Sequence, residues 1–387
     1  MSSIQYYFRT LEINPNNTSI NFHDHNKDIL FINRKRGPIP VGMLIRKYLQ
    51  IFEIGIPKII PQTISVFPPW FIPQINICFE LNKNSKKDVA PTHLKQSFLS
   101  HKHKSRIEIF TDGSKTPIGT GAGVAIYSTS SDIYSCYKIK LNKLCSIFTA
   151  ELMAIKSALQ SIEKTKNTTC TIYSDSKSCL LSLNQLNPKL EILKEIHTLI
   201  FKITLNKTKI IFCWVPAHCD IRGNELADKE AKVAANSTRT CLKPVPASDM
   251  KSHIKNQILS FWSEKWNSLS NNKLKNIGVK IGKFFFSNFY YRIEEIKFTR
   301  VRLGHTRLTH SYHFTRDQVP ICAQCNCLYT IEHILKNCPK FRNERKNHFN
   351  NFTLSSKSIE ELLDRKNANK NISIINFLKS TNLFSEI

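Results

Sequence analysis

The middle of the chain carries an ordered succession of hydrophobic patterns. "RIEIFT" (106–111) alternates apolar and polar positions, as a half-buried strand does. "GAGVAIYS" (121–128) and "DIYSCYKIKL" (132–141) follow, separated by the turn-like "TSSD", and predict a three-strand meander. "SIFTAELMAIKSALQSIEK" (146–164) then changes period, with Leu152, Ile155, Ala158, Leu159 and Ile162 on one helical face. "TCTIYS" is a further strand, and "DSKSCLLSLNQL" a helix capped by its Asp or Ser. "KLEILKEIHTLIFKIT" predicts another helix, "TKIIFCWVP" a strand and "GNELADKEAKVAA" a closing helix. The order βββαβααβα predicts an α/β fold: a mixed five-stranded sheet, a meander plus parallel strands, with flanking helices.

The flanks are less regular. Residues 1–85 mix short apolar runs with prolines and do not read as a complete domain; 86–104 and 237–250 read as linkers, the first of them basic. The regular domain is expected over 105–236. From 251 to 387 the chain reads as mainly helical, with a Cys/His cluster at 322–338. "KFFFSNFYYRIEEIKFTRVR" (283–302) interleaves aromatic and basic residues, a pattern more often core than a base-stacking platform.

Four acids break the apolar pattern. Glu151 lies inside the buried arc of its helix, where a lone carboxylate is costly. Asp112 and Asp175 each close a strand, the position from which side chains leave a mixed sheet to form sites. Asp228 sits in the first turns of a helix among Ala227, Ala231 and Ala235, whose small size permits close approach to the sheet. Taken singly, each has a plain role as a cap, a turn residue or a partner of a helix dipole. Gathered together they would repel one another unless cations lay between them.

The matching text is "TDGSK", "TAELMAI", "YSDSKS" and "WVPAHCDIRGNELAD". In that order and context it resembles the ribonuclease H family over about 105–235, in the form carried by non-LTR retrotransposon polyproteins. The resemblance implies two Mg²⁺ ions, with Mn²⁺ a substitute. Asp112 would bridge them, Asp228 would hold the ion that activates water, and Glu151 and Asp175 would complete the other. His218 matches a mobile histidine that assists proton transfer or product release, and Gly113, Ser114 and Asn224 match substrate contacts. The implied activity is cleavage of the RNA strand of RNA–DNA hybrids, read by shape and 2′-hydroxyls. An inactive nucleic-acid-binding relic is the alternative, and an integrase or exonuclease of similar topology a further one. Residues 1–85 resemble the connector that follows a reverse transcriptase, so the chain looks like the C-terminal third of such a polyprotein, excised or truncated.

"CAQCNCLYTIEHILKNCP" offers Cys322, Cys325, His333 and Cys338 at spacings suited to a structural Zn²⁺. Cys327 could replace Cys325, and His310 or His313 could compete. The segment is similar to the one that follows ribonuclease H in insect-type retrotransposon polyproteins, where it is taken to contact nucleic acid.

Charge sharpens the choice of partner. The net charge is +27, uneven along the chain: +8 over 1–104, +5 over 105–235 and +13 over 251–387. Basic flanks around an acidic cluster suit nucleic acid. Twelve scattered cysteines without a secretory signal point to reduced thiols in nucleus or cytoplasm, and no apolar run is long enough for a membrane span. Oligomeric state is not legible.

Overall fold

The computed structural model describes residues 2–13, 41–51, 55, 57–62, 75–80, 91–103, 105–129, 133–239, 241, 243–270, 289, 291–349, 359–363 and 368–387. The chain forms two compact units, Met1–Gln257 and Ile258–Ile387.

In the first unit the expected meander is β2 (Ile107–Lys115), β3 (Thr120–Ser128) and β4 (Ile133–Leu141), all antiparallel. β5 (Thr169–Ser174) lies parallel to β2, and β6 (Lys209–Trp214) parallel to β5. The five expected strands are joined by a sixth. β1 (Asn76–Cys78) pairs in parallel with the outer edge of β6, giving the order β1-β6-β5-β2-β3-β4.

Alternation decides what covers each face. Ile109, Val124, Ile172 and Phe212 point to one side and are buried under α4 (Ile147–Ile162), α5 (Lys177–Leu183) and α6 (Glu191–Leu205). Leu152, Ile155, Ala158, Leu159 and Ile162 complete that core, as their helical period predicts. On the other side Phe110, Ala125, Tyr173 and Cys213 are covered by Leu94 and Phe98 of α3 (Pro91–His101) and by Ala227 of α7 (Arg222–Asn236). Phe110 stacks on Tyr173 at 4.8 Å, and Phe98 meets Tyr173 edge-on at 5.3 Å.

Several residues expected as connector or linker are built into this unit. α1 (Ser2–Ile13) and α2 (Val41–Ile51) are helical. Ile59 bridges Val245, with the Val245 N–H donating to Lys58 O at 2.8 Å and the Ile60 N–H to Val245 O at 3.1 Å. The 86–104 segment contains α3, and the 237–250 segment runs into α8 (Ala247–Ser268), where Ala247 and Met250 are buried. Their polar composition conceals apolar residues at helical spacing, Leu94 and Phe98 among them.

The second unit is mainly helical, as expected. Its elements are α9 (Arg292–Leu303), the short α10 (Arg307–His310) and α11 (Tyr312–Thr315), α12 (Arg342–Phe349), α13 (Ile359–Leu362) and α14 (Ala368–Ser380). Gly304 ends α9 with φ of +70°, the left-handed cap that glycine adopts without strain. Phe298, Val301, Ile334, Leu335, Phe349 and Phe377 fill its core. In the aromatic–basic segment, Phe289 and Phe298 pack at 5.2 Å as core residues, while 283–288 and 290 lie outside the described residues.

Candidate functional site

Register builds the first half of the site. Thr111 of β2 pairs with Ser174 of β5, so the next residues, Asp112 and Asp175, lie side by side where β5 ends. Asp112 does not close its strand as expected: β2 runs on to Lys115, still paired with β3, and only its pairing with β5 stops here. Glu151 comes to them from the start of α4, and this approach needs a glycine. A Cβ on Gly113 would lie 2.6 Å from the Glu151 nitrogen and 2.9 Å from the Ala150 carbonyl carbon. The helix start is capped by Ser146, whose hydroxyl accepts from the Thr149 N–H at 3.2 Å. Buried Asp249 supports the same turn, accepting from the Ser146 N–H at 2.8 Å and the Thr149 hydroxyl at 2.7 Å. Carboxylate oxygens of Asp112, Glu151 and Asp175 thereby come within 4.8 Å of one another.

Asp228 is delivered by close helix–sheet packing. Gly123 is the register partner of Asp112, and a Cβ there would sit 2.0 Å from the Ala227 carbonyl oxygen. A Cβ on Gly121 would strike Ala234, Ala235 and Ala231 at 2.5–2.6 Å. Ala227, Ala231 and Ala235 are fully buried, so the small residues on α7 do permit the approach their size suggested. Asp228 joins a second, adjoining group with His218 and Glu225, again within 4.8 Å, and its charge acts on both Asp112 and Asp175. His218 is exposed on a loop with left-handed φ of +55°. The four acids are therefore gathered, as a triad with an adjoining fourth.

Residues 104–236 match the RNase H family model. The chain is also similar to the Pol polyprotein of equine infectious anemia virus: 33% identical over 138 residues in strain Wyoming and 34% in isolate 1369. Each alignment covers 33% of this chain and 10% of the viral protein, so the chain spans about a tenth of the length of these relatives. Residues 104–236 are a ribonuclease H domain. Among solved structures, the N-terminal RNase H domain of a Mycobacterium tuberculosis protein, determined as a fusion with maltose-binding protein, aligns at 19% identity and a TM-score of 0.29, covering 35% of this chain and all of that one.

The electrostatics of the ribonuclease H site are those of clustered anions only partly offset by Lys232. Burial, then the charges of Asp175 and Asp228, raise Asp112 to about 7, with Lys232 opposing. Burial, then Asp112 and Asp175, raise Glu151 to about 9. Asp175 is raised by burial, against a hydrogen bond from Asn224 and the nearby His218. Oε2 of Glu151 is shielded from solvent and has no hydrogen-bond partner among the described residues. A buried, unpaired carboxylate oxygen beside two more carboxylates fits a bound cation.

Asn224 and Gly113 sit differently from simple substrate contacts. Asn224 is buried, with its side chain bonded to Asp175 and its Oδ1 unpartnered. Gly113 is buried against the helix, and Ser114 beside it is half-buried. Two residues were not anticipated. Lys232 Nζ lies 2.7 Å from Asp228 Oδ2, and Glu225 shares the His218 group. Their spacing from Asp228, four and three positions along α7, is the signal that finds them.

The Cys/His cluster of the second unit converges as its spacing predicts. Ligand atoms of Cys322, Cys325, His333 and Cys338 all lie within 4.8 Å of one another. The sulfurs of Cys322 and Cys338 are 3.7 Å apart, against roughly 3.8 Å for two thiolates bound tetrahedrally at about 2.3 Å from zinc. A hydrogen bond with His333 is the chief cause drawing the Cys322 thiol down to about 6, while burial and the neighbouring Cys322 and Cys338 push Cys325 up to about 12. Cys327 is exposed and adjoins His333, with Sγ 3.4 Å from Nδ1. His310 stacks on His305 at 4.0 Å and lies 5.8 Å from His313, ring to ring. Buried Arg345 braces the segment by donating to the carbonyls of Ile334 and Cys338.

Proposed function

We propose that this protein is a metal-dependent endonuclease that cuts the RNA strand of RNA–DNA hybrids, leaving a 3′-hydroxyl and a 5′-phosphate. The observation that carries the reading is the convergence of Asp112, Glu151 and Asp175 next to Asp228, with Glu151 Oε2 buried and unpaired. The two adjoining groups would hold two Mg²⁺ ions, or Mn²⁺ in their place: Asp112, Glu151 and Asp175 in one, Asp228 with a share of Asp112 in the other. When bound, the ions supply activation of water and neutralisation of charge at the phosphodiester. Asn224 fixes the Asp175 carboxylate through its hydrogen bond. His218, exposed beside Asp228, is placed to move a proton or to assist product release. Ser114, half-buried next to Gly113, is the proposed contact to the substrate backbone.

A groove beside Asp228 is lined by Lys138, Lys229 and Lys232 along with Glu225. It supports a path for a phosphate backbone leading to the acids. The match to a Pol polyprotein supports a place within a retroelement polyprotein, and the sequence motifs favour the non-LTR kind. Removal of the RNA template after reverse transcription is then the biological task, in nucleus or cytoplasm. For the Cys/His cluster we propose one structural Zn²⁺ on Cys322, Cys325, His333 and Cys338. The 3.7 Å sulfur spacing supports it, and so does the need to neutralise clustered thiolates.

The test is a cleavage assay with a labelled RNA–DNA hybrid in Mg²⁺, run beside DNA duplex and single-stranded RNA, with Asp175→Asn as control. Cutting of the hybrid alone, lost in the variant, is the expected result. No cutting by the unmutated chain would leave a binding relic. For the cluster, metal analysis of residues 300–345 should find about one zinc per chain; a metal-free fragment that stays folded would remove the assignment.

A further inference from the structure

A second set of soft ligands lies in the first unit, apart from the four acids. Cys78 of β1 is the register partner of Cys213 of β6, and on neighbouring parallel strands such partners point to the same face. His103 arrives just after α3 on that face, and one of its ring nitrogens lies within 4.8 Å of both sulfurs, which lie within 4.8 Å of each other. The three residues are 25 and 110 positions apart in sequence, so only the fold brings them together.

The plain alternative is two thiols packed as small hydrophobes beside an ordinary histidine. One observation weighs against it. Nε2 of His103 is shielded from solvent and has no hydrogen-bond partner among the described residues, a costly state for a polar nitrogen. Cys213 is buried in the cluster that holds Phe98, Tyr173 and Val215, and its thiol faces that of Cys78. A cation would use all three groups at once.

We propose that Cys78, His103 and Cys213 form a second thiophilic metal site, suited to Zn²⁺, that clasps the chain before the ribonuclease H domain to its sheet. Two thiolates and one imidazole are a usual zinc donor set, and the fourth position falls to water or to Glu80, whose charge is felt at Cys213. Each ligand sits on a separate piece: β1, the chain leaving α3, and β6. β1 has only three register pairs with β6, little to hold an edge strand alone. Metal bound across the three pieces converts binding energy into docking energy for residues 75–80 and 91–103. The site is structural and needs no part of the acidic centre.

The experiment uses the full chain, purified under reducing conditions with Zn²⁺ and passed through a metal-free column. About two zinc ions per chain are expected, one at each Cys/His site. Cys78→Ser and His103→Gln should each bring the count to about one, with far-ultraviolet circular dichroism unchanged. The His103 variant guards against misfolding, since that side chain is only half-buried and glutamine keeps a polar head there. A chain carrying Cys322→Ser and Cys338→Ser, loaded with Co²⁺, should still show thiolate-to-cobalt absorption, and chelator should expose residues 75–80 and 91–103 to protease. A zinc count unaffected by Cys78→Ser, or no cobalt–thiolate band in the double variant, would overturn the proposal. So would a Cys78–Cys213 disulfide in protein kept under reductant.

Discussion

Removing one charge from the acidic centre should make the metal-free domain more stable. Consider Asp112→Asn. Burial and its acidic neighbours raise the Asp112 carboxyl from 3.8 to about 7. Above pH 3.8 the unfolded chain gives up its proton, while the folded chain retains it until about pH 7. Below both values Asp112 costs nothing; stability is then lost as pH rises from about 4 towards 7, and the penalty is constant beyond. At about 1.4 kcal/mol per pH unit the full penalty is about 4 kcal/mol, a ceiling because the neighbouring carboxyls titrate together. Asparagine has nearly the same shape and no proton to lose. In chelator, Asp112→Asn should therefore come close to the unmutated chain near pH 3.5, exceed it increasingly up to about pH 7, and hold that lead at pH 8. At roughly 2–4 °C per kcal/mol the gain in midpoint is on the order of 10 °C. Mg²⁺ should reverse the order by stabilising only the unmutated chain, because ion binding to the folded state removes the repulsion. Thermal unfolding followed by circular dichroism across that pH range, with and without Mg²⁺, measures both effects. A variant less stable than the parent at pH 8 in chelator, or an equal response to Mg²⁺, would refute the account of the site as anions awaiting cations.

Three further outcomes follow from the packing. Gly123→Ala places a methyl 2.0 Å from the Ala227 carbonyl, so α7 must move; about 1–3 kcal/mol of stability should be lost in urea unfolding, together with hybrid cleavage, because Asp228 moves with the helix. Asp249→Ala strands the Ser146 N–H and the Thr149 hydroxyl, and should cost about 1–3 kcal/mol and lower cleavage by loosening the turn before Glu151. Lys232→Met removes the cation that pairs with Asp228 at 2.7 Å; this exposed pair contributes under about 1 kcal/mol to folding, yet its loss should lower the Mg²⁺ concentration for half-maximal cleavage at low salt.

Much of the domain was legible because its signals are local. The alternation of 106–111 and 169–174 and the helical face from Leu152 to Ile162 each depend on neighbours within a few residues. Glu151 stood out because it violates that same face. The missed parts depend on contacts distant in sequence. β1 is three residues long, and its partner lies about 135 positions away, so no periodicity reveals it. Leu94 and Phe98 sit in a polar, basic stretch whose composition hides them. Asp249 lies in the first turn of α8, inside a stretch that reads as a linker, yet it completes the start of another helix about 100 residues earlier. Asn224 matched a substrate contact in the motif; its bond to Asp175 emerges only once α7 is docked.

The glycine-lined seat for α7 also sets an order of events during synthesis. Asp112, Glu151 and Asp175 leave the ribosome before Asp228, and Asp228 takes its place only when α7 closes over Gly121 and Gly123. Until then a nascent chain has three of its four acids and no seated helix. On the proposed function, a product ending before α7 lacks the fourth acid and should not cut.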